Sequence, residues 1–247
     1  FMESVVFNLN TVYRTDDAEF IHFSNLIRMG VVNNLTINYI KSKKYIDQDL
    51  KGYVQIYPTI KEVEIQNQER LRNLQTPIVS YKPAINKKGS KVYDKEIDAF
   101  MTNSKISSNL ELKVGAQIII TRNNACEDYV NGDVAIIEKL NEKSIVVRLD
   151  RNNEIRKIEY LEFENIEFKT VDGKLEKSTK WLIKALPVML GWAITIHKSQ
   201  GQDIEKLYIK TGSLFAQSQF YVAISRSSCP EKLVIDYAGD AGLNNLL

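Results

Sequence analysis

Tyr53-Val54-Gln55-Ile56-Tyr57-Pro58-Thr59-Ile60-Lys61-Glu62-Val63 is the stretch on which the reading of the fold depends. Its first five residues are β-branched, aromatic or amide side chains of the kind that fill a pleated sheet, and Pro58 halts them. Thr59 and Glu62 then stand three apart, the spacing at which a hydroxyl and a carboxylate satisfy the first amides of a helix. Val63, Leu71 and Leu74 supply the apolar side of that helix. The stretch reads as strand, turn, helix.

The same alternation extends outward. Upstream, Val5, Val6 and Phe7 suggest an opening strand, and Asp16 to Met29 places Phe20, Phe23, Leu26 and Ile27 on one helical face. Asp16 and Glu19 are expected to cap that helix and Gly30 to stop it, with His22 packed near its apolar side. Downstream come a strand near Leu207 to Ile209, a helix near Phe215 to Ser225 and a strand near Leu233 to Asp236. Strand and helix alternating at both ends predict an α/β domain with a largely parallel sheet.

Between these ends the pattern changes. Ile118 to Thr121, Val134 to Ile137, Ile145 to Leu149, Ile155 to Leu161 and Ile166 to Thr170 are short apolar runs. Asn131-Gly132, Asn152-Asn153 and Asp172-Gly173 separate some of them with turn chemistry. Five short strands at roughly ten-residue spacing predict a small antiparallel barrel inserted into the α/β domain. The expected division is residues 1–110 and 186–247 for the α/β domain and 111–185 for the insertion. Lys82 to Asn109 reads as a polar, irregular connector.

The composition narrows function only a little. In 247 residues, 33 basic side chains face 31 acidic ones, a net charge of +2, so a non-specific coat for nucleic acid is disfavoured while local phosphate contacts are not. The apolar run Ala185 to Ile196, broken by Pro187, is too short to span a bilayer, for which about 20 residues are needed. Phe1-Met2-Glu3-Ser4 has no basic, apolar leader and reads as the start of an excised fragment. Cys126 and Cys229 lack metal-ligand spacing and suit thiols of a reducing compartment, pointing to the cytoplasm. A bacterial source is expected.

Chemistry concentrates in Trp192-Ala193-Ile194-Thr195-Ile196-His197-Lys198-Ser199-Gln200-Gly201. An apolar lead-in ends in a hydroxyl, an imidazole, an ammonium and an amide before a glycine that can turn the chain. Taken residue by residue, it is a helix C-terminus with Gly201 as its stop and Lys198 set against the helix dipole.

Taken whole, the string resembles motif V of the superfamily 1B DNA helicases of the RecD/Pif type. Phe220-Tyr221-Val222-Ala223-Ile224-Ser225-Arg226 resembles their motif VI, and Tyr13-Arg14-Thr15 with the helix ending Ile27-Arg28-Met29-Gly30 resembles motif IV. Thr15 stands where the family commonly has glutamine. Lys113-Val114-Gly115-Ala116-Gln117 and Tyr129-Val130-Asn131-Gly132 are similar to the opening strands of that family's barrel. The resemblance covers nearly the whole chain. It implies the second, C-terminal RecA-like (P-loop NTPase-type) motor domain with an inserted Src-homology-3-like barrel, moving 5′ to 3′ on single-stranded DNA. It further implies that Arg226 and Arg14 reach the γ-phosphate of ATP, that Gln200 and Gly201 support the nucleotide cleft, and that Thr195, His197 and Lys198 hold the strand.

The physics of these roles is independent of the likeness. Phosphoryl transfer is accelerated mainly by positioning and by cations set against charge on the γ-phosphate, and arginine's planar fork suits that task. Hydroxyl, imidazole and ammonium donors can grip a backbone without reading bases. No G-x-x-x-x-G-K-[ST] loop and no strand ending in a magnesium-holding acidic pair occur in the 247 residues. ATP and Mg²⁺ are therefore expected to be bound mainly by an N-terminal ATP-binding RecA-like domain, and the chain alone to lack ATPase activity. The other readings are a non-enzymatic single-stranded nucleic-acid-binding module, a RecD-like subunit of an exonuclease or relaxase assembly, and a viral-type RNA helicase.

Overall fold

The computed structural model describes residues 12–88, 93–124, 126, 128–171, 174–212 and 217–244. The expected strand at Val5 to Phe7, the Asp172-Gly173 turn and the start of the Phe215 helix lie outside them. In chain order the elements are α1 (Ala18–Arg28), α2 (Asn34–Ser42), β1 (Val54–Tyr57), α3 (Ile60–Asn73), β2 (Val79–Tyr81), β3 (Ala84–Lys87), α4 (Asp94–Asn103), β4 (Leu110–Leu112), β5 (Gln117–Ile120), β6 (Val134–Leu140) and β7 (Ser144–Leu149). They continue with β8 (Ile155–Glu159), β9 (Leu161–Val171), β10 (Lys174–Ala185), β11 (Val188–Leu190), β12 (Ala193–Thr195), α5 (Ile196–Ser199), β13 (Leu207–Lys210), α6 (Gln217–Ile224), β14 (Leu233–Asp236) and α7 (Gly239–Asn244).

The stretch beginning at Tyr53 forms the middle of a parallel sheet. β1 is buried along its whole length and pairs with β12 on one side and β13 on the other, and β14 completes the order β12-β1-β13-β14. Burial on both faces explains why Val54, Ile56 and Tyr57 are apolar, and the buried Gln55 among them accepts from the Tyr57 hydroxyl at 2.9 Å. The Thr59 hydroxyl accepts from the Glu62 amide at 3.3 Å and donates to the Glu62 carboxylate at 2.5 Å, fixing the start of α3. Phe20, Phe23, Tyr39, Ile56, Phe220 and Ile235 belong to the core on this sheet. Each such side chain contributes about 1.5–3 kcal/mol by leaving water.

A second sheet, antiparallel, has the order β11-β5-β6-β7-β8 and its own core around Ile118, Ile137, Ile145, Leu149 and Ile158. The fifth of the expected strands is absent from it. Ile166 to Thr170 belongs to β9, which runs antiparallel to β10 in a long ribbon joined by β3. The fifth place is taken by β11, only three residues long, which is hard to see in the sequence because Pro187 and Gly191 bracket it. Gly191 carries the chain from β11 into β12 so closely that a Cβ there would lie 2.6 Å from the Ile118 carbonyl carbon.

Three further expectations are corrected. The segment Lys82 to Asn109 is not an irregular connector, because it contains β3 and α4, whose Ile97 and Met101 are buried against Trp181 and Ile183. His22 is exposed: one residue along from Phe23 is about 100° around the helix, off the buried face. Asp17, not Asp16, caps α1, its carboxylate accepting from the Phe20 amide at 2.9 Å.

Candidate functional site

Thr195 ends β12 at the carboxyl edge of the parallel sheet, and Ile204 leads into β13 at the opposite edge. Parallel pairing of both strands with β1 forces the segment between them to cross the sheet. The short helix α5 and Gly201 lie on that crossing.

At the start of the crossing, the buried Thr195 hydroxyl accepts from the Lys198 amide at 3.2 Å, capping α5. That bond uses a lone pair of the hydroxyl and not its proton. Thr195 and Lys198 line a cleft of about 230 Å³ with Asn67, Ser107 and Asn109. His197 and Lys198 are exposed. Behind them, Asn67 on α3 fixes β12: its amide donates to the Ala193 carbonyl at 2.8 Å and its carbonyl accepts from the Ala193 amide at 2.9 Å. Sequence reading missed Asn67, a polar residue on the buried stripe that Val63 and Leu71 form on α3.

Gln200 is exposed beyond the end of α5. Gly201 adopts φ 76°, where glycine is favoured, yet a Cβ there would meet nothing within 4 Å. Its requirement is conformational. Gln202, unremarked in the sequence, is fully buried, and neither its amide nitrogen nor its carbonyl oxygen has a protein partner in the described structure.

At the end of the crossing the two arginines meet. Arg14 donates through Nη1 to the Ser225 carbonyl at 2.6 Å and through Nε to the Asp203 carboxylate. Arg226, just past α6, donates through Nη2 to the Ser225 hydroxyl at 2.8 Å and through Nε to the Val222 carbonyl at 3.1 Å. Burial lowers the Arg226 pKa, and the neighbouring charge of Arg14 lowers it further, against the opposing pull of Asp203. A cleft of about 170 Å³ lies beside Arg14, Tyr221 and Ser225. Two guanidinium groups sharing one small anchor, with one carboxylate paired to Arg14, form a concentrated cationic site. Asp203 and Ser225 are the partners that sequence reading missed.

No group of three His, Cys, Asp or Glu side chains among the described residues could hold a metal ion. No described helix is long and apolar enough to cross a membrane. Cys126 and Cys229 are both unbridged.

No protein-family model matches the chain. It is 32% identical over 229 residues to the ATP-dependent DNA helicase Pif1 of Campylobacter jejuni, covering 90% of this chain and 51% of that protein. Its fold matches a Bacteroides sp. Pif1 in complex with ADP-AlF4 with a TM-score of 0.80 and 27% identity, over 94% of this chain and 52% of the other. A Bacteroides Pif1 bound to single-stranded DNA matches with a TM-score of 0.61 and 29% identity, over 91% and 50%. The chain thus spans about half the length of these relatives. Likeness of sequence and of fold, each over nearly its whole length, supports a Pif1-type superfamily 1B helicase C-terminal half.

Proposed function

We propose that this chain is the second RecA-like motor domain of an ATP-driven 5′ to 3′ helicase acting on single-stranded DNA. Residues 1–110 and 186–247 form the motor domain in this reading, and 111–185 form an inserted Src-homology-3-like barrel. The observation that carries it is the convergence of Arg14 and Arg226 on Ser225. Such a pair fits a polyanion at the face of the domain, because bidentate guanidinium groups match phosphate oxygens and repel each other without one.

The nucleotide, with Mg²⁺, supplies the phosphoryl group whose transfer to water powers movement. This chain has no phosphate-cradling loop, so those groups are held mainly by an N-terminal ATP-binding RecA-like domain and the chain alone is inactive. Arg226 and Arg14 contribute positive charge at the γ-phosphate, Gln200 supports the nucleotide cleft through its amide in this reading, and Gly201 provides the backbone turn. Thr195, His197 and Lys198 donate to backbone phosphates without reading sequence. The crossing from Thr195 to Ile204 joins the two sites, so a shift of the arginines is transmitted to the DNA grip.

The test is Arg226→Ala in the intact enzyme. Loss of roughly 10³-fold or more in ATP turnover on single-stranded DNA is expected for a finger of this kind. Unchanged turnover overturns the assignment.

A further inference from the structure

The four-residue helix α5 carries His197 and Lys198, and its last carbonyls need donors that so short a helix cannot supply. The Ile196 carbonyl accepts from the Ser199 hydroxyl at 2.7 Å. The His197 carbonyl accepts from the Gln200 amide at 3.2 Å, and the Ser199 carbonyl from the Gln202 amide at 3.0 Å. Between them, the Lys198 carbonyl accepts from no backbone amide among the described residues. Its donor is the Nζ of Lys105, at 3.0 Å and 93 positions away in sequence. A lysine ammonium is a recognised partner for the last carbonyls of a helix, and here it comes from another element altogether.

Lys105 stands where backbone geometry favours glycine. The Ile106 amide donates to the Met101 carbonyl at 2.8 Å and the Lys105 amide to the Thr102 carbonyl at 3.1 Å. These are the paired bonds of a Schellman cap at the end of α4, whose left-handed residue is usually glycine. Lys105 holds that place at φ 58°. A glycine would close α4 with less strain but would bring no ammonium to α5. The next residue, Ile106, is buried in the core that also contains Trp181 and Ile183, so the backbone from which Lys105 reaches out is firmly held. Beyond it, Ser107 and Asn109 line the same cleft as Thr195 and Lys198. The end of α4 is thus one wall of that cleft, α5 lies along another, and the Lys105 side chain ties the two together.

We propose that Lys105 is a positioning residue for the DNA grip. It holds the C-terminal end of α5 against the end of α4, and so fixes where His197 and Lys198 present their donors, without itself touching the strand. Strain retained at a residue whose side chain has such a task is the expected pattern. The proposal rests on the reading that Thr195, His197 and Lys198 hold single-stranded DNA.

The experiment measures binding of a labelled oligothymidylate to the intact helicase from about 50 to 200 mM salt. Lys105→Met keeps the left-handed side chain and removes the donor, Lys105→Gly removes donor and strain together, and Lys105→Arg keeps a donor. The first two should weaken binding about five-fold, the loss of one hydrogen bond, and Lys105→Arg should bind close to the parent. The slope of log affinity against log salt should stay at the parental value, because no phosphate contact is lost. Lys105→Gly should melt at or above the parental temperature, so that weaker binding cannot be traced to a weaker fold. Combined with Lys198→Ala, Lys105→Met should lose less than the product of the two separate losses. Parental affinity in both Lys105→Met and Lys105→Gly overturns the positioning role, and if Lys198→Ala still loses affinity the reading of the DNA grip stands. A slope lower by about 0.7 in Lys105→Met makes Lys105 a direct phosphate contact and also overturns it. If Lys198→Ala binds normally, both the grip and its positioning fall. Should Lys105→Gly fail to fold, Lys105→Met against Lys105→Arg decides.

Discussion

Arg14 and Arg226, 212 positions apart in sequence, are anchored on the same residue, one through the Ser225 carbonyl at 2.6 Å and the other through the Ser225 hydroxyl at 2.8 Å. Like charges held this close are costly unless an anion joins them. Asp203 meets part of that need through its ion pair with Arg14, although its carboxylate is 66% exposed. The site is therefore cationic but partly compensated by a carboxylate that a phosphate could displace.

Replacing Asp203 by Asn should leave stability at neutral pH nearly unchanged, within about 1 kcal/mol, because exposed ion pairs contribute little. Nucleotide affinity of the intact protein should rise, since the competitor for Arg14 is gone. Titration with a fluorescent nucleotide checks this; a fall in affinity would instead make Asp203 a positioning residue for Arg14.

Two glycines should respond differently to alanine. At Gly191 the added Cβ meets the Ile118 backbone at 2.6 Å, so the junction between the sheets must shift, at a cost of about 2–3 kcal/mol. At Gly201 there is open space and only φ 76° to oppose the change, at about 1–2 kcal/mol. Denaturant midpoints of the two variants should rank in that order.

Asn67→Leu should destabilise by about 2–4 kcal/mol, because it strands both the amide and the carbonyl of Ala193 in a buried strand. Hydrogen exchange at Ala193 and Ile194 should speed up more than at β14. Equal acceleration of both strands would mean that Asn67 does not specifically fix β12.

Asp236 predicts a pH dependence. Burial pushes its pKa up, but hydrogen bonds from Lys210 and Tyr208 and the charges of Lys210 and Lys44 outweigh this and hold it below the usual carboxylate range. A depressed folded pKa means that the stabilisation is present above the unfolded value, near 3.9, and is lost as pH falls through the folded value. Thermal melts below about pH 4 should therefore steepen in the parent chain, and Asp236→Asn should flatten that limb. The same partner pushes the Tyr208 hydroxyl up, second to burial.

Legibility followed how local each signal was. The strand and helix from Tyr53 to Asn73 were readable because Pro58, Thr59 and Glu62 act within a few residues of one another. α4 was not, because Ile97, Phe100 and Met101 are three apolar residues in a polar segment, and their burial depends on Trp181 some eighty positions away. The long ribbon escaped for a related reason. A run such as Ile166 to Thr170 shows that a strand forms but not which strand it pairs with, and β9 chose β10, whose other edge carries β3, over the sheet of β5 to β8.

By itself the sequence determined the alternation of strand and helix, the parallel character of the sheet and the two arginine-bearing segments, since periodicity, capping and motif spacing are properties of neighbouring residues. Only the tertiary structure decided that Arg14 and Arg226 share Ser225, that Asp203 answers Arg14, and that Lys105 donates to the Lys198 carbonyl. Those relationships depend on electrostatics and hydrogen bonds over a few ångströms, and a chain position carries no distance until the sheets have packed.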